Sequence, residues 1–407
     1  MQINLIPLYS FLHKNNKKAI SDDLVFIDEI NTFLADEDLV ILENAKDPLF
    51  DIILIGSGGT EGLFVKRLEE FKEPLVILST SRNNSLPAAL EIKTYLENKN
   101  KLCFLLSGEE KHIASMLKHI ATTISAYNNL KDNRLGVIGG ASSWLIASPI
   151  EPKVIYQNFK INVFKIKMTE LYDLVDEVEK EMLDQKEIPH SNELINKYQD
   201  KEVIHQALVF YVALKRLVKK YDLKGLTIRC FDLLKRYNNT ACLALALLNE
   251  EGVTAGCEGD IFSLLTMHVV NALTGRSSFM ANPSKFNYED NSLLLAHCTV
   301  PLNMTSSYSL TTHFESGLGI GVKGEMPEGR ITVCKIAPDY TLDNCVCLPA
   351  SIKDNPDLEG YCRTQITVSL NEDGLLDLLK ASFGNHLIVS YGDVYQDFFP
   401  LLSLLRR

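Results

Sequence analysis

The sequence lacks several features that would place a protein in a class at once. The nine cysteines form no CxxC pair, there is one tryptophan in 407 residues, and no apolar run approaches the length of a membrane span. An odd number of cysteines inside apolar runs, such as Cys103 and Cys242, favours reduced, buried thiols over a disulfide framework. The N-terminal segment has too short an apolar run for a signal peptide and places its basic residues after that run. We therefore expect a cytoplasmic protein without a membrane partner.

Long runs of one charge sign are also missing. The 41 basic and 52 acidic residues give a formal net charge of -11, which argues against nucleic acid or an anionic membrane surface as a partner. Apolar residues make up 46% of the chain and charged residues 23%, the usual composition of a globular protein. A chain of 407 residues exceeds what one hydrophobic core organises, so we expect two or three domains.

The first third of the chain alternates short apolar runs with helical patterns. The runs DIILIGS, PLVILST and KLCFLLS predict buried parallel strands, and LPAALEIKTYLEN carries apolar residues at helical spacing. This βαβ rhythm predicts a doubly wound, Rossmann-like α/β domain over residues 1–132. Its glycine loop departs from the dinucleotide-binding GxGxxG pattern, because Glu61 stands at the third glycine position. We interpret the loop as a tight turn or a sugar-contacting loop.

Two further changes of pattern predict a second and a third domain. Within residues 133–278, RLGVIGG and LTIRCFDLL predict strands, SSWLIAS a short helix, and KVIYQNFKINVFKIK a strand pair or one long strand. The charged helical region Met168–Tyr221 is predicted to form surface layers. These elements predict a second doubly wound, Rossmann-like domain. Residues 279–407 contain frequent glycine and proline turns between β-branched runs, so we expect a β-rich C-terminal domain, either a small antiparallel barrel or a sandwich.

The segment 254–299 collects polar residues at the ends of predicted strands. One strand delivers Glu258 and Asp260 to its carboxyl end, a second ends at Asn282, and a third ends at His297. Strand ends of this kind bring polar groups into one crevice. Carboxylates at the edge of a core need a metal, a cation or a proton to offset their desolvation. A functional site is therefore the simplest interpretation of this segment.

The donor atoms of this segment suit a hard divalent metal. Glu258, His297 and His386, which opens the last predicted strand, are candidate ligands, and four further residues are candidate helpers: Asp260, Asn282, Asp232 and His313. Oxygen donors with one or two imidazoles favour Mn²⁺, Mg²⁺ or Co²⁺ over a thiolate zinc centre. Structural interpretations compete, since a histidine at a strand end can be a hydrogen-bonded core residue. Asp260 can likewise cap the helix that begins at Ile261.

Several stretches together resemble one enzyme superfamily. The runs AGCEGDIFSLLTMHVVNALTG, NNSLPAALEI, RLGVIGGASSWLIAS, LLLAHCTVP and GNHLIVSYGD resemble the L-fucose isomerase and L-arabinose isomerase superfamily over nearly the whole chain, although this chain is shorter than those enzymes. The resemblance implies an aldose–ketose isomerase of carbohydrate metabolism, an intramolecular oxidoreductase that binds Mn²⁺ through two carboxylates and a histidine. It also implies a homo-oligomer, often trimer-based. The first carboxylate falls on Glu258, the C-terminal histidine on His386, and the histidine of the arabinose enzymes on His297.

The position of the second carboxylate departs from that superfamily. Counting from Glu258 places an amide there, Asn282, which can ligate a metal through its oxygen but cannot serve as a general base. Three explanations stay open. Glu258 works alone, the chemistry is something other than simple isomerisation, or the vacancy is filled by another carboxylate, namely Glu289, Asp290 or Asp232.

The combined prediction is a metal-dependent sugar isomerase that works through an enediol intermediate. Glu258 is predicted as ligand and general base, Asn282 as a neutral ligand or substrate contact, and His386 as a ligand. His297 is predicted as a ligand or substrate contact, and Asp260 orients the site through hydrogen bonds from behind the ligands. The competing prediction is a sugar-binding protein that keeps the crevice but has lost or changed the chemistry, because the second catalytic carboxylate is missing.

Overall fold

A parallel sheet forms the centre of the first of two units into which the chain divides. In the computed structural model, the described residues are 1–148, 151–181, 183, 185–338, 342–371, 373–381 and 383–407. The two units are residues 1–128 and 129–407, and the predicted domain boundaries after residues 132 and 278 stay predictions. Among the described helices, none is both long enough and apolar enough to span a membrane.

The first unit alternates strands with helices. Its elements are β1 (Gln2–Leu8), α1 (Lys17–Leu34), β2 (Val40–Glu43), β3 (Asp51–Ile55), α2 (Glu61–Arg67), β4 (Leu75–Ser79), α3 (Ser85–Asn98), β5 (Cys103–Leu106) and α4 (Glu110–Leu130). The strands form one parallel sheet in the order β2-β1-β3-β4-β5. Every residue of β3 and β4 is buried, as expected for inner strands of a parallel sheet covered on both faces. The parallel strands predicted for this third of the chain are confirmed.

The second unit opens with another parallel sheet. Its elements are β6 (Arg134–Ile138), α5 (Pro152–Phe159), β7 (Asn162–Ile166), α6 (Met168–Lys180), α7 (Ser191–Lys197), α8 (Lys201–Tyr221), β8 (Gly225–Ile228), α9 (Phe231–Tyr237), α10 (Cys242–Glu250), β9 (Thr254–Gly256) and α11 (Ile261–Thr274). The strand order is β7-β6-β8-β9, and all the pairs are parallel. The carboxyl ends of β6, β8 and β9 therefore lie along one edge of the sheet.

An antiparallel barrel follows in the same unit. The elements of this part of the chain, in order, are β10 (Phe279–Asn287), β11 (Ser292–His297), β12 (Ser307–Thr311), β13 (Gly321–Glu325), β14 (Gly329–Lys335), β15 (Val346–Asp354), β16 (Thr364–Leu370), α12 (Gly374–Lys380), β17 (Leu387–Tyr391) and α13 (Tyr395–Leu405). Six strands close into a barrel in the order β10-β11-β16-β15-β14-β17, and β12 pairs with β13. Of the two predicted alternatives, the barrel is the one that forms. One hydrophobic core runs from the sheet, for example Leu226, into the barrel, for example Val333.

Four local predictions in the second unit were wrong, each for a physical reason. Residues 142–148 form turns rather than a helix. Residues 152–159 are the helix α5 rather than a strand, because Pro152 suits a first helical turn and buried Ile155 and Phe159 stand four residues apart. Helix α8 is a core element with ten buried residues, so the region 168–221 is not only a surface layer. Strand β10 continues past Asn282 to Asn287 through a bulge.

Candidate metal and substrate site

The carboxyl end of β9 presents two acidic residues in different environments. Asp260 caps α11, since its Oδ1 accepts hydrogen bonds from the backbone N–H groups of Phe262 and Ser263 at 3.0 Å each, which confirms the predicted cap. Glu258 stands two residues earlier with φ 61, a left-handed conformation that is uncommon for a residue other than glycine. Its side chain is 12% exposed. The turn between sheet and helix therefore separates a buried capping carboxylate from one that faces a cavity.

The register of three barrel strands brings Asn282, His297 and His386 together. Strand β10 lies between β11 and β17 in the closed barrel. Asn282 pairs with Ala296, the residue before His297, and Ala281 pairs with Leu387, the residue after His386. Residues at these neighbouring positions lie at one end of the barrel, although more than 100 positions separate the outer two along the chain.

Glu258 meets the two histidines of the barrel in a tight cluster. Its Oε1 lies 3.5 Å from Nε2 of His386 and 4.0 Å from Nε2 of His297, and both imidazoles are buried. One ligand atom from each of the three residues lies within 4.8 Å of the other two. Within the described residues, these three form the group of histidine and acidic side chains that could hold a metal ion. The structure thus places three of the predicted ligands together.

Hydrogen bonding around His386 tests whether the cluster suits a cation. Asp260 Oδ2 lies 2.9 Å from Nδ1 of His386, and because a carboxylate only accepts, Nδ1 must donate. In the neutral ring, Nε2 then carries a lone pair directed at the Glu258 carboxylate. Two acceptors at that separation repel unless a proton or a metal ion lies between them. A histidine held by a carboxylate through its other nitrogen is the usual arrangement at metal sites, so these residues fit a divalent cation.

Orphaned polar atoms around the cluster point to the same conclusion. His386 Nε2, His297 Nδ1 and Asn282 Oδ1 are buried and lack a hydrogen-bond partner. Native proteins leave few buried polar atoms unpaired, so each such atom calls for an explanation such as an ion, water or ligand. Here the three belong to neighbouring residues at one end of the barrel. Imidazole nitrogen, carboxylate oxygen and amide oxygen are donors that Mn²⁺ accepts.

Electrostatics holds both acidic residues in their ionised form. Burial alone would raise the pKa of Glu258, but the protonated form of His386 at 3.5 Å, with smaller contributions from His297 and Trp144, lowers that pKa to about 2. Burial would also raise the pKa of Asp260, but the charge of Lys335 and the hydrogen bond from His386 hold it well below its usual range. Burial lowers the pKa of His297 to about 4, so this imidazole is neutral at pH 7 and can serve as a ligand.

Lys335 is a part of the site that sequence reasoning missed. Its Nζ lies 3.1 Å from Asp260 Oδ2 and 2.5 Å from Ser263 Oγ, and both members of the ion pair are 1% exposed. The lysine compensates the buried charge of Asp260, which in turn orients His386. A lysine inside the apolar run VCKIA at the end of β14 was the available signal, because a lysine is seldom fully buried without a partner.

A narrow cavity opens on the cluster. Glu258, Asn282 and His297 line it together with Phe231, and it offers about 40 Å³ to the centres of water-sized groups, enough for an ion and a few water molecules. Trp144, from the turns after β6, donates its indole N–H to Glu258 Oε2 at 2.6 Å.

Other acidic residues and histidines predicted near the site have different surroundings. Asp232 is paired with Arg229 at 2.7 Å, and Asp290 with Lys353 at 3.3 Å. Glu289 is exposed, and none of these three carboxylates lines the cavity, all three being within the described residues. His313 does line the cavity, and so does Glu315, a carboxylate that the sequence analysis did not select. The turn HFESG offered no pattern that would have distinguished Glu315 from a surface residue.

Fold and site define a mixed α/β protein with a carboxylate–imidazole cluster between a parallel sheet and a six-stranded barrel. The chain is similar to two curated proteins named sulfoquinovose isomerase. It is 28% identical over 218 residues to one from Clostridium sp. (strain MSTE9), a match that covers 48% of this chain and 47% of that protein. It is 21% identical over 319 residues to one from Alkalicoccus urumqiensis, covering 74% of this chain and 70% of that protein.

The similarity to the first relative covers only part of each chain. The match spans about half the length of the Clostridium relative, and no family model matches the chain. Both relatives carry the name of a sugar isomerase. The similarities therefore make the sugar isomerases the class of enzyme with which we compare this site.

Proposed function

We propose that this protein is a metal-dependent aldose–ketose isomerase that acts on a sugar. The observation that carries the proposal is the cluster of Glu258, His297 and His386 in a chain similar to two sulfoquinovose isomerases. The names of the relatives favour sulfoquinovose, an aldose with a sulfonate group, or a related anionic aldose as the substrate. Mn²⁺ is the metal we propose, because the donor set is oxygen and imidazole.

Glu258, His297 and His386 would hold the metal, and Asn282 would add its amide oxygen. When bound, such an ion supplies a Lewis acid that polarises the carbonyl and hydroxyl oxygens of the sugar. Asp260 and Lys335 keep His386 in the orientation that directs Nε2 into the cluster. These residues are therefore proposed to fix the position of C1 and C2 of the sugar.

The isomerisation moves one hydrogen from C2 to C1 of the aldose. A base removes the proton from C2, the electron pair of that C–H bond forms the C1=C2 bond of an enediol, and the π pair of the C1 carbonyl moves onto its oxygen, which takes up a proton. The hydroxyl group on C2 then loses its proton as C2=O forms, and the electron pair of C1=C2 takes up a proton at C1. The protons lost and gained are equal in number, so that no atom is lost. Glu258 is the carboxylate of the cluster, and we propose that it accepts the C2 proton.

Glu315 is a candidate for the role that an acidic residue at position 282 would otherwise fill. It lines the same cavity as Glu258, whereas Asp232, Glu289 and Asp290 do not. We propose Glu315 as the second proton-transfer group, in place of the three carboxylates Asp232, Glu289 and Asp290. Glu315→Gln should then lower turnover, and unchanged turnover would leave Glu258 as the base that works alone.

A sugar-binding protein without catalytic activity is the second candidate function, and Asn282 is the observation that favours it. The remaining expectations belong to the main proposal: two Rossmann-like domains before the barrel from the βαβ rhythm, a cytoplasmic location from the cysteine usage, and a trimer-based homo-oligomer from the resemblance. None of these is needed for the chemistry proposed at the cluster.

Deuterium exchange decides between the two candidate functions. The protein is incubated in D₂O with Mn²⁺ and sulfoquinovose, with glucose as the uncharged comparison, and deuterium in the sugar is measured by mass spectrometry. Enediol chemistry exchanges the C2 proton with solvent, so the isomerase proposal expects incorporation together with a ketose product. Glu289→Gln, which changes an exposed carboxylate outside the cavity, is the matched control and should behave like the wild type. Saturable binding of the sugar without deuterium in it would establish the binding protein instead.

A further inference from the structure

Trp144 is a large aromatic residue that the fold leaves half exposed beside the cluster. It is the sole tryptophan of the sequence and its side chain is 48% exposed. The side chain of the neighbouring Leu145 is buried and anchors the turns. Its backbone N–H also donates to the carbonyl of Ser142 at 3.0 Å. A tryptophan held at the surface by a buried neighbour has given up burial that would have stabilised the fold. Its exposed surface is therefore available for contact with a ligand.

The backbone around Trp144 is locked onto the turn that carries Glu258. The N–H of Ser142 donates to the backbone carbonyl of Glu258 at 2.9 Å. Gly259 has φ +72, and a Cβ atom at that position would come within 2.0 Å of the carbonyl oxygen of Gly140. Only glycine allows the two turns to approach so closely. The turns after β6 and the turn after β9 thus form one assembly at the edge of the sheet.

The two oxygens of Glu258 have different partners. Oε1 faces His386 and His297, whereas Oε2 accepts the indole N–H of Trp144 at 2.6 Å. A carboxylate held at one oxygen cannot rotate freely about its last side-chain bond, so the hydrogen bond fixes which oxygen faces the imidazoles. Hydrogen bonds to ionised groups are shorter and stronger than neutral ones.

The ring of Trp144 also has a defined place beside the cavity. It packs edge to face on Phe231, with 4.9 Å between the ring centroids and 84° between the ring planes, and Phe231 lines the cavity. The space of about 40 Å³ is well below the roughly 300–1,000 Å³ of pockets that take small molecules. A sugar that reaches the cluster must therefore extend beyond this space, and Trp144 is an exposed ring in contact with two of the residues that line it, Phe231 and Glu258.

We propose that Trp144 is a positioning and substrate-contacting residue. Its N–H holds the carboxylate of Glu258 in the orientation needed for the cluster, and its exposed ring forms a wall for the apolar C–H face of the sugar. The substrate-contacting part rests on the proposed isomerase function. The positioning part concerns the cluster and does not depend on turnover.

Metal binding tests the positioning part without any turnover. Because Trp144 is the sole tryptophan, the intrinsic tryptophan emission of the protein comes from this site alone. Titration with Mn²⁺ should change that emission in a saturable way in the wild type. Trp144→Phe keeps an aromatic ring but loses the N–H, and calorimetry should show Mn²⁺ binding weakened by about tenfold. Ile146→Ala, on the same turns and 87% exposed, is the matched control and should bind Mn²⁺ like the wild type.

Kinetics with the aldose separate the two roles of the side chain. Trp144→Phe should lower kcat about tenfold or more with KM changed little, because the ring remains and the hydrogen bond is lost. Trp144→Leu should lower kcat similarly and also raise KM, because the aromatic wall is lost as well.

The outcomes distinguish this inference from the proposed function. If Trp144→Phe matches the wild type in both Mn²⁺ affinity and kcat, Trp144 does not position Glu258 and the inference is wrong, while the isomerase proposal stands. If the wild type shows no deuterium exchange with any aldose, the isomerase proposal and the substrate-contacting role are wrong. The Mn²⁺ titration of Trp144→Phe still decides the positioning role in that case.

Discussion

The two parallel sheets of this protein carry polar residues at equivalent edges but treat them differently. In the first unit, Tyr9 and Arg82 follow the carboxyl ends of β1 and β4 and meet buried Asp23 of α1, whose Oδ2 accepts a hydrogen bond from the hydroxyl group of Tyr9 at 3.0 Å and whose Oδ1 lies 3.6 Å from Arg82. Ser57 Oγ in the glycine loop accepts the N–H of Ser10 at 3.0 Å. Asp23 Oδ2 and Ser57 Oγ are thereby paired, whereas Asp23 Oδ1 is buried without a hydrogen-bond partner and faces the arginine. The glycine loop accordingly has partners within its own unit and shows no cluster of metal-ligating side chains in the described residues.

The edge of the second sheet gathers three such unpaired atoms around one carboxylate, whereas the described residues of the first unit have a single one, on Asp23. His386 Nε2, His297 Nδ1 and Asn282 Oδ1 are buried and unpaired beside Glu258. Burying an unpaired polar atom costs about 1–3 kcal/mol, so such a group of atoms persists where it has a function. The contrast teaches that glycine turns and carboxylates at a strand end do not identify a site by themselves. The grouping of several unsatisfied atoms around one carboxylate is the more informative feature.

The largest expected effect removes the carboxylate that the second edge presents to its cluster. Glu258→Gln keeps the shape of the side chain but cannot accept a proton, so turnover of the aldose should fall by about 10²–10⁴-fold. Metal binding should weaken as well, because the cluster loses its negative charge. Turnover and circular dichroism are measured together to show that the protein remains folded. An unchanged rate would mean that the base lies elsewhere, with Glu315 as the next residue to change.

A second test compares the buried charges of the two sheet edges. Lys335→Met leaves Asp260 buried without its lysine, and breaking a fully buried ion pair costs about 3–5 kcal/mol, so the urea midpoint should fall sharply. Arg82→Met is the matched change in the first unit, where the arginine is 44% exposed and Asp23 keeps the hydrogen bond from Tyr9, so it should lower the urea midpoint less than Lys335→Met does. Equal effects of the two variants would contradict the distinction between the edges.

Asn282 tests whether the departure from the resembled superfamily is tuned to a substrate. Asn282→Asp adds an anion beside the cluster, so Mn²⁺ should bind about tenfold more tightly, as measured by calorimetry. Activity on an uncharged aldose should rise if a second carboxylate is all that is missing. KM for sulfoquinovose should rise instead if the added charge repels the sulfonate, and added salt should partly relieve that increase. If neither metal affinity nor KM changes, Asn282 contributes nothing to the site.

The smallest expected effect concerns His268, a buried histidine away from the cluster. Burial lowers its pKa to about 4, and the ring lies between Asn133 and Thr254 at 3.0 and 3.1 Å. The unfolded chain binds a proton at this residue near pH 6.5, whereas the folded chain binds it only near pH 4. The contribution of neutral His268 to the free energy of unfolding is therefore complete above pH 6.5 and is lost as the pH falls toward 4. Between pH 7 and pH 5.5 the loss should be about 1 kcal/mol. Urea unfolding of His268→Gln should lack this part of the pH dependence, and an identical dependence in both proteins would refute it.

Periodicity predicted the parts of the fold that depend on local sequence. The apolar runs of β3 and β4 were recognisable as buried parallel strands because both faces of such strands are covered. The region 152–159 was misread because its apolar residues suit either a strand or a helix, and packing of Ile155 and Phe159 decided for the helix. The end of β10 was misread because a bulge carries the strand past Asn282, which no local pattern announces.

The chemical types of the site residues were determined by the sequence, and their grouping was decided by the tertiary structure. Glu258 and Asp260 at a strand end, and a histidine at each of two later strand ends, could be named as candidates from position and chemistry. Their separations depend on strand register in the barrel, which joins β10 to β11 and to β17. The partners that make the site work, Lys335 behind Asp260 and Trp144 on Glu258, come from distant segments. Such contacts arise when one core packs the sheet and barrel together, so no local pattern of residues could specify them.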